Sequence, residues 1–460
     1  MHHGLARHQM SIEQMELPLA AWGEAPGQPR SGEAPPTAHA PARSGADDLM
    51  ERIVDRDNLV RALKRVQRNQ GSAGSDGMTV TERPTYLRRH WPALREALLA
   101  GTYQPGVVRQ HQIPKPDGGV RTLGIPTVLD RFLQQAVLQV LQPQFDPAFS
   151  PSSYGFRPGR SAHDAVRAAQ QYVQQGRRWV VDLDLEQFFD RVNHDILLGQ
   201  VAQRITDRRV LTLIRRYLAA GMMTNGVVRE RPEGTPQGGP LSPLLANLLL
   251  DTVDKELERR GHRFVRYADD CNVYVQSRRA GLRVMEGLRR LYAALRLRVN
   301  DAKSAVARVW VRPFLGFQFW VARGGVVRRR VAPKAMTKMK HRVRAITARS
   351  GGRSVAQVVA MLRRYLLGWR AYFQLADTPR VFAVVDHWIA RRVRALHVGQ
   401  WKRGPVVFRE LRRRGVPAAP AAMAAHFTGR WWRVAGFRGV QQGLSTRALE
   451  ALGVPRLTSA

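Results

Sequence analysis

Residues 263–275 read Arg-Phe-Val-Arg-Tyr-Ala-Asp-Asp-Cys-Asn-Val-Tyr-Val. Aromatic and β-branched residues on either side of Ala268-Asp269-Asp270 predict two strands, 263–267 and 271–275, joined as a β-hairpin. Asp269 and Asp270 then occupy its tip, where adjacent carboxylates can reach one exposed point. Toward the N-terminus a second acidic cluster follows another apolar run. Residues 179–184, Trp-Val-Val-Asp-Leu-Asp, predict a strand. Alternate side chains of a strand share a face, so Asp182 and Asp184 point the same way. Carboxylates gathered at strand ends repel one another and call for a compensating cation. Oxygen-only ligation suits Mg²⁺. Two such ions about 3.5–4 Å apart can activate an attacking hydroxyl and stabilise a leaving pyrophosphate. Taken alone, Asp269-Asp270 would equally serve as a plain hairpin turn.

Further out, a helical pattern spans 47–69 and ends in Gly71-Ser72-Ala73-Gly74. Apolar residues at one buried face predict a helix over 127–141, with Thr127 and Asp130 as a capping pair. Another amphipathic helix is predicted over 355–373. Strands and helices mix without regular alternation, which makes the class α+β. Residues 1–46 are rich in Pro, Ala and Gly without periodicity and read as a mostly disordered tail.

The charge is extreme: 74 basic against 36 acidic residues, net +38. Residues 1–50 carry three basic and six acidic side chains, whereas 301–460 carry 32 and five, with seven of the ten Trp residues. Such a field points to a polyanionic partner, and basic side chains interleaved with aromatics suit phosphate contacts with base or sugar stacking. A single cysteine, Cys271, excludes a disulfide framework and a Cys-ligated zinc site. No apolar run approaches the roughly 20 residues of a membrane span, and the N-terminus shows no signal-peptide stretch. A bacterial cytoplasmic, nucleoid or ribonucleoprotein setting, with no membrane partner, is expected.

The Tyr-Ala-Asp-Asp tetrapeptide resembles the polymerase box of the reverse transcriptases encoded by bacterial group II introns. Further segments are similar to that family in the same order: 58–80 (NLVRALKRVQRNQGSAGSDGMTV), 113–127 (IPKPDGGVRTLGIPT), 153–165 (SYGFRPGRSAHDA), 180–195 (VVDLDLEQFFDRVNHD), 234–247 (GTPQGGPLSPLLAN), 297–304 (LRVNDAKS) and 314–317 (FLGF). The resemblance implies a right-hand polymerase fold, with fingers and an antiparallel palm sheet followed by an α-helical thumb, or maturase, domain. The implied organisation is a tail over 1–46, an N-terminal extension over 47–110, fingers and palm over 111–320, thumb over 321–400, and a basic extension over 401–460.

The resemblance also implies roles. Asp184 and Asp269 would hold two Mg²⁺ ions, with Asp270 in support and the Leu185 carbonyl assisting. Asp182 and Asp190 are weaker ligand candidates, and Asp190 would hold its loop. Phe189 matches a steric gate that excludes a 2′-OH, with a plain core phenylalanine as the alternative. Lys115 and Arg121, on opposite arms of a hairpin, would grip the triphosphate. Gln237 would lie near the nascent base pair, with Gly238 and Gly239 admitting the nucleotide. Lys303 would sit beside pyrophosphate. Arg157 and Arg160 are expected template contacts. Lys334, Lys338, Lys340, Arg342, Arg344, Arg363 and Arg370 would face template–product duplex or intron RNA.

The implied substrates and partners are deoxynucleoside triphosphates, intron RNA and target DNA. Many relatives end in a Cys- and His-rich nuclease domain, and none is legible here, so second-strand cleavage is not expected. The alternatives are a domesticated reverse transcriptase, in defence or CRISPR adaptation, and a splicing factor with a dead polymerase. The intact Asp184, Asp269 and Asp270 argue against the second.

Overall fold

A computed structural model describes residues 48–114, 120–224, 227–229, 233–348 and 352–458. They divide into two compact units, one running to Arg308 and one starting at Val309.

The first unit opens with helices α1 (Leu49–Ile53) and α2 (Arg56–Asn69). The continuous helix expected over 47–69 is therefore broken. Asp55 leaves helical geometry and caps α2, its carboxylate accepting from the backbone N–H groups of Asp57 and Asn58. After α3 (Arg83–Leu99), strands β1 (Val108–Pro114) and β2 (Val120–Ile125) pair antiparallel, Arg109 opposite Ile125. Helix α4 (Val128–Phe145) begins at the expected cap and runs past 141. The Thr127 hydroxyl accepts from Asp130 N at 3.0 Å, and the buried Asp130 carboxylate accepts from Thr127, Tyr103 and Gly106.

Next come α5 (Ala162–Gln174), β3 (Trp179–Leu183), α6 (His194–Ala202), α7 (Arg208–Ala219), β4 (Met222–Thr224) and β5 (Val227–Arg229). The chain continues through α8 (Ser242–Arg259), β6 (Arg263–Tyr267), β7 (Asp270–Val275), α9 (Arg278–Ala294) and β8 (Ala305–Arg308). Two sheets result. One has the order β2-β1-β4-β5, and the other, antiparallel throughout, β6-β7-β3-β8. Helices α5, α8 and α9 pack on the second sheet.

One core runs from Met50, Ile53 and Ala62 of α1 and α2 through Phe132 and Leu249 to Leu288. The expected boundary near residue 110 is accordingly absent. The apolar faces of α1 and α2 are buried against α4, so the N-terminal extension is part of the same body.

The second unit begins with the antiparallel pair β9 (Phe317–Val321) and β10 (Val327–Val331). Helices α10 (Pro333–Ile346), α11 (Val355–Phe373) and α12 (Pro379–Trp401) follow. Helix α11 has the expected bounds and starts with a capping box of Ser354 and Gln357. Its Trp369, Tyr372 and Phe373 pack with Phe317 of β9 and Phe382 of α12. The Tyr372 hydroxyl donates to Leu315 O at 2.9 Å. The β9–β10 pair thus belongs with the helices, and the boundary expected at 320 falls at 308 instead.

Short helices α13 (Gly404–Arg413), α14 (Ala418–His426), α15 (Trp431–Val434), α16 (Arg438–Gly443) and α17 (Thr446–Ala451) complete the unit. They are not a separate extension past 400. Arg394 of α12 donates to Leu444 O at 2.8 Å, and Asp386 accepts from the backbone N–H groups of Leu457 and Thr458. No helix among the described residues is long and apolar enough to cross a membrane.

Leu133 of α4 is 1% exposed in the core of the first unit. Leu133→Ala is expected to cost about 2–5 kcal/mol, read as a shifted urea midpoint of that unit by circular dichroism.

Candidate active site

The register pairs Tyr267 with Asp270, leaving Ala268 and Asp269 as the turn. Ala268 is held at φ +58°, the left-handed region that a Cβ disfavours by about 1–3 kcal/mol. Its surroundings impose this. Arg266, wholly buried, donates through Nη1 to Ala268 O at 2.9 Å and to Asn247 Oδ1 at 2.8 Å. The same guanidinium pairs with Asp254, also wholly buried, at 2.6 Å. Burial works against the Arg266 charge, but Asp254 outweighs it and holds the guanidinium above its ordinary pKa. Asn247 Nδ2 donates to Gly155 O at 3.0 Å. Gly155 lies so close behind the turn that a Cβ there would stand 2.2 Å from Ala268 N.

Asp184 approaches from the neighbouring strand. Strands β3 and β7 pair with Leu183 opposite Cys271, so the chain leaves β3 beside the hairpin tip. Asp184 N donates to Ser304 Oγ at 3.0 Å, and Asn300 N donates to Asp184 O at 2.9 Å. The 300–304 turn therefore fixes the backbone from which the carboxylate projects. Leu185 is buried, and its backbone forms an antiparallel bridge with Val299. Asp182 lies opposite Asn272, whose amide, turned with its nitrogen toward the carboxylate, donates to Oδ1 at 2.8 Å. Phe189 is half-buried, edge-on to buried Phe188 at 5.1 Å. Its carbonyl accepts from Thr235 N, and Gly234 lies against Asp190 O, tying this loop to the glycine-rich segment.

Negative charge gathers at the centre. Asp270 keeps solvent contact, yet its carboxyl is pushed up to about 7 by burial of the tip and by the charges of Asp269, Asp182 and Asp184, with Lys303 opposing. Asp184 Oδ2 is buried without a hydrogen-bond partner among the described residues. The Lys303 ammonium stands 3.4 Å from it, an ion pair without hydrogen-bond alignment. No three or more His, Cys, Asp or Glu side chains among the described residues are gathered closely enough to hold a metal ion by themselves. One unpartnered buried oxygen on Asp184, with Asp269 and Asp270 near it, fits Mg²⁺, which takes one or two carboxylates and fills its shell with water and phosphate.

Other expected residues fall out differently. Lys115 lies outside the described residues, as does the side chain of Arg121. Gln237 is half-buried, and its carbonyl accepts from Gly124 N at 2.9 Å. Gly238, at φ +135°, lets the backbone approach Gly124 O, so protein packing already demands this glycine. Arg157 is a correction. It is 5% exposed, and its guanidinium donates to Asp146 and to the carbonyls of Ser150 and Ser153. It braces its own loop and is not available to a template. Arg160 is half-buried, donating to Pro151 O and lying 5.3 Å from the Tyr154 ring.

In the second unit Lys334, Lys338, Arg344 and Arg363 are exposed, and Lys340, Arg342 and Arg370 are half-buried. The residues that the sequence reading missed are Arg266, Asp254, Asn247 and Ser304. A charged residue inside the otherwise apolar run Phe264-Val265-Arg266-Tyr267 was the available signal, since a buried Arg needs a partner.

Residues 113–319 match the family model described as reverse transcriptase (RNA-dependent DNA polymerase), and 336–415 match the maturase-specific domain of group II introns. The chain thus carries a reverse transcriptase domain followed by a maturase-specific domain of the group II intron type. Protein YkfC of Escherichia coli is 38% identical over 218 residues, 46% of this chain and 57% of that protein. The group II intron-encoded protein LtrA of Lactococcus lactis is 40% identical over 161 residues, 35% of this chain and 27% of LtrA. The chain thus spans from about a quarter to just over half of these relatives' lengths. A solved partial Cas6-RT-Cas1–Cas2 complex is 27% identical, with a TM-score of 0.36 over 54% of this chain and 42% of that one.

The raised pKa of Asp270 has a sign. The folded state keeps a proton that the unfolded chain has lost, so this group lowers stability as pH rises from about 4 to the folded value of about 7. In metal-free buffer Asp270→Asn should therefore melt higher than wild type at pH 8 and alike at pH 4, by differential scanning fluorimetry. Equal gaps at both pH values would contradict it.

Proposed function

We propose that this chain is an RNA-directed DNA polymerase that binds a group II intron RNA, assists its splicing, and copies it into DNA from a primer at the target site. The observation that carries the polymerase half is the meeting of Asp184 with Asp269 and Asp270 at one end of the β3–β7 pair, around an orphaned carboxylate oxygen.

Each residue has a role in this reading. Asp184 and Asp269 would hold two Mg²⁺ ions, with Asp270 in support and the Leu185 carbonyl assisting. The bound metal would supply the positive charge that favours the primer 3′-oxyanion and the departing pyrophosphate. Lys303 releases its hold on Asp184 and meets the pyrophosphate. Phe189 stands beneath the sugar and clashes with a 2′-OH. Gln237 contacts the nascent base pair. Lys115 and Arg121 hold the triphosphate. Arg160 contacts the template strand. The cations of α10 and α11, Lys334, Lys338, Lys340, Arg342, Arg344, Arg363 and Arg370, track duplex or intron RNA through phosphate contacts. The match of 336–415 to the maturase-specific domain and the net charge of +38 support the splicing half.

Primer extension on an RNA template with Mg²⁺ and deoxynucleotides tests the polymerase half. Wild type should extend, and Asp269→Ala should fall by roughly 100-fold or more. In the same assay Phe189→Ala should incorporate ribonucleotides that wild type rejects. Extension by Asp269→Ala at the wild-type rate would sink the metal assignment.

Splicing of the intron RNA that surrounds the coding sequence tests the other half. The protein should accelerate it at low Mg²⁺, and an unchanged rate would leave a polymerase without maturase function.

A further inference from the structure

We infer that Asn247 is a positioning residue for the metal-binding carboxylates, acting through the turn that carries Asp269. The inference rests on the polymerase reading above.

Asn247 lies on α8, which contributes no carboxylate to the site. It is 1% exposed, and both ends of its amide are used. Oδ1 accepts from Arg266 Nη1 at 2.8 Å, the same nitrogen that donates to Ala268 O at 2.9 Å. Nδ2 donates to Gly155 O at 3.0 Å. Gly155 in turn backs the amide of Ala268. Asn247 therefore grips the turn from two sides, through the guanidinium on its carbonyl and through the glycine behind its N–H. Between them lies Ala268, held at φ +58° against its own preference. Asp269 is the next residue. Its carboxylate keeps its place beside Asp184 only while the peptide before it stays in this conformation. Outer contacts of this kind commonly tune metal affinity by about 10–100-fold.

Asn247 is also a residue whose loss leaves no buried charge. Arg266 keeps its pair with Asp254 when Asn247 is replaced. Removing Asp254 would instead strand a buried guanidinium, at about 3–5 kcal/mol. Asn247→Leu fills similar volume and removes both hydrogen bonds.

The test uses the full-length protein and Mn²⁺ alone, followed by electron paramagnetic resonance of the free ion. Asn247→Leu should bind Mn²⁺ roughly 10-fold more weakly than wild type. The Mg²⁺ needed for half-maximal primer extension should rise in step, and excess Mg²⁺ should restore the maximal rate. Asn247→Asp keeps the acceptor for Arg266 and should lie between the two. Gly155→Ala pushes on the turn from the other side and should show the same shift, which covers the case in which Asn247→Leu does not fold. Unchanged Mn²⁺ affinity and unchanged Mg²⁺ half-saturation, with a uniformly lower rate or none lost, would overturn the inference. Failure of the polymerase reading is separately visible, as extension by Asp269→Ala or none by wild type, while the Mn²⁺ measurement still reports on Asn247.

Discussion

Negative charges forced together at the joined ends of β3 and β7 are the constraint to which the first unit answers. The antiparallel pairing of Leu183 with Cys271 brings the chain leaving one strand beside the turn entering the other. The charges of Asp269, Asp182 and Asp184 then all act on Asp270, and the ammonium of Lys303 stands 3.4 Å from Asp184. Neutral groups hold these acidic residues in place. Ser304 and Asn300 hold Asp184, and Asn272 holds Asp182. The turn is held by a buried ion pair, Arg266 with Asp254, whose charge balances internally and adds nothing to the site. Position is thus secured without neutralisation. In the proposed polymerase a divalent cation would complete such a site.

Much of this was legible in the sequence, because it depends on short-range pattern. The hairpin at 263–275 declares itself through aromatic and β-branched residues flanking two acids. The cap at Thr127 and the bounds of α11 follow from local hydrogen-bonding chemistry and helical periodicity. What escaped depends on partners distant in the chain. Arg157 carries the charge of a template contact, but Asp146 and two carbonyls consume it. Asp55 reads as one more polar residue on a helix until its carboxylate is seen capping the next. The apolar faces of α1 and α2 look like those of a separate domain until their burial against α4 makes them part of one core. Asn247 sits inside the otherwise apolar stretch Leu244–Leu250 of α8, and only the tertiary fold shows that both ends of its amide reach the turn.

The second unit refines the reading of its charge. Its tryptophans suggested stacking on bases, yet several are occupied by the protein's own arginines. Arg391 lies 4.5 Å from the Trp432 ring, Arg344 and Arg392 both approach Trp388, and Arg414 approaches Trp401. Trp369 is in the core. Stacking uses the face of a guanidinium and leaves its edge donors for anions. The aromatics therefore orient cations, and the cations make a surface suited to phosphate, which agrees with recognition of a helical nucleic acid by shape and charge.

Anomalous diffraction at the manganese edge, from crystals of the protein with an RNA–DNA template-primer and a non-hydrolysable deoxynucleotide, tests the central claim most directly. The predicted result is two manganese peaks about 3.5–4 Å apart, both touching Asp184 and Asp269. Manganese bound elsewhere, or no peak at Asp184, would contradict it.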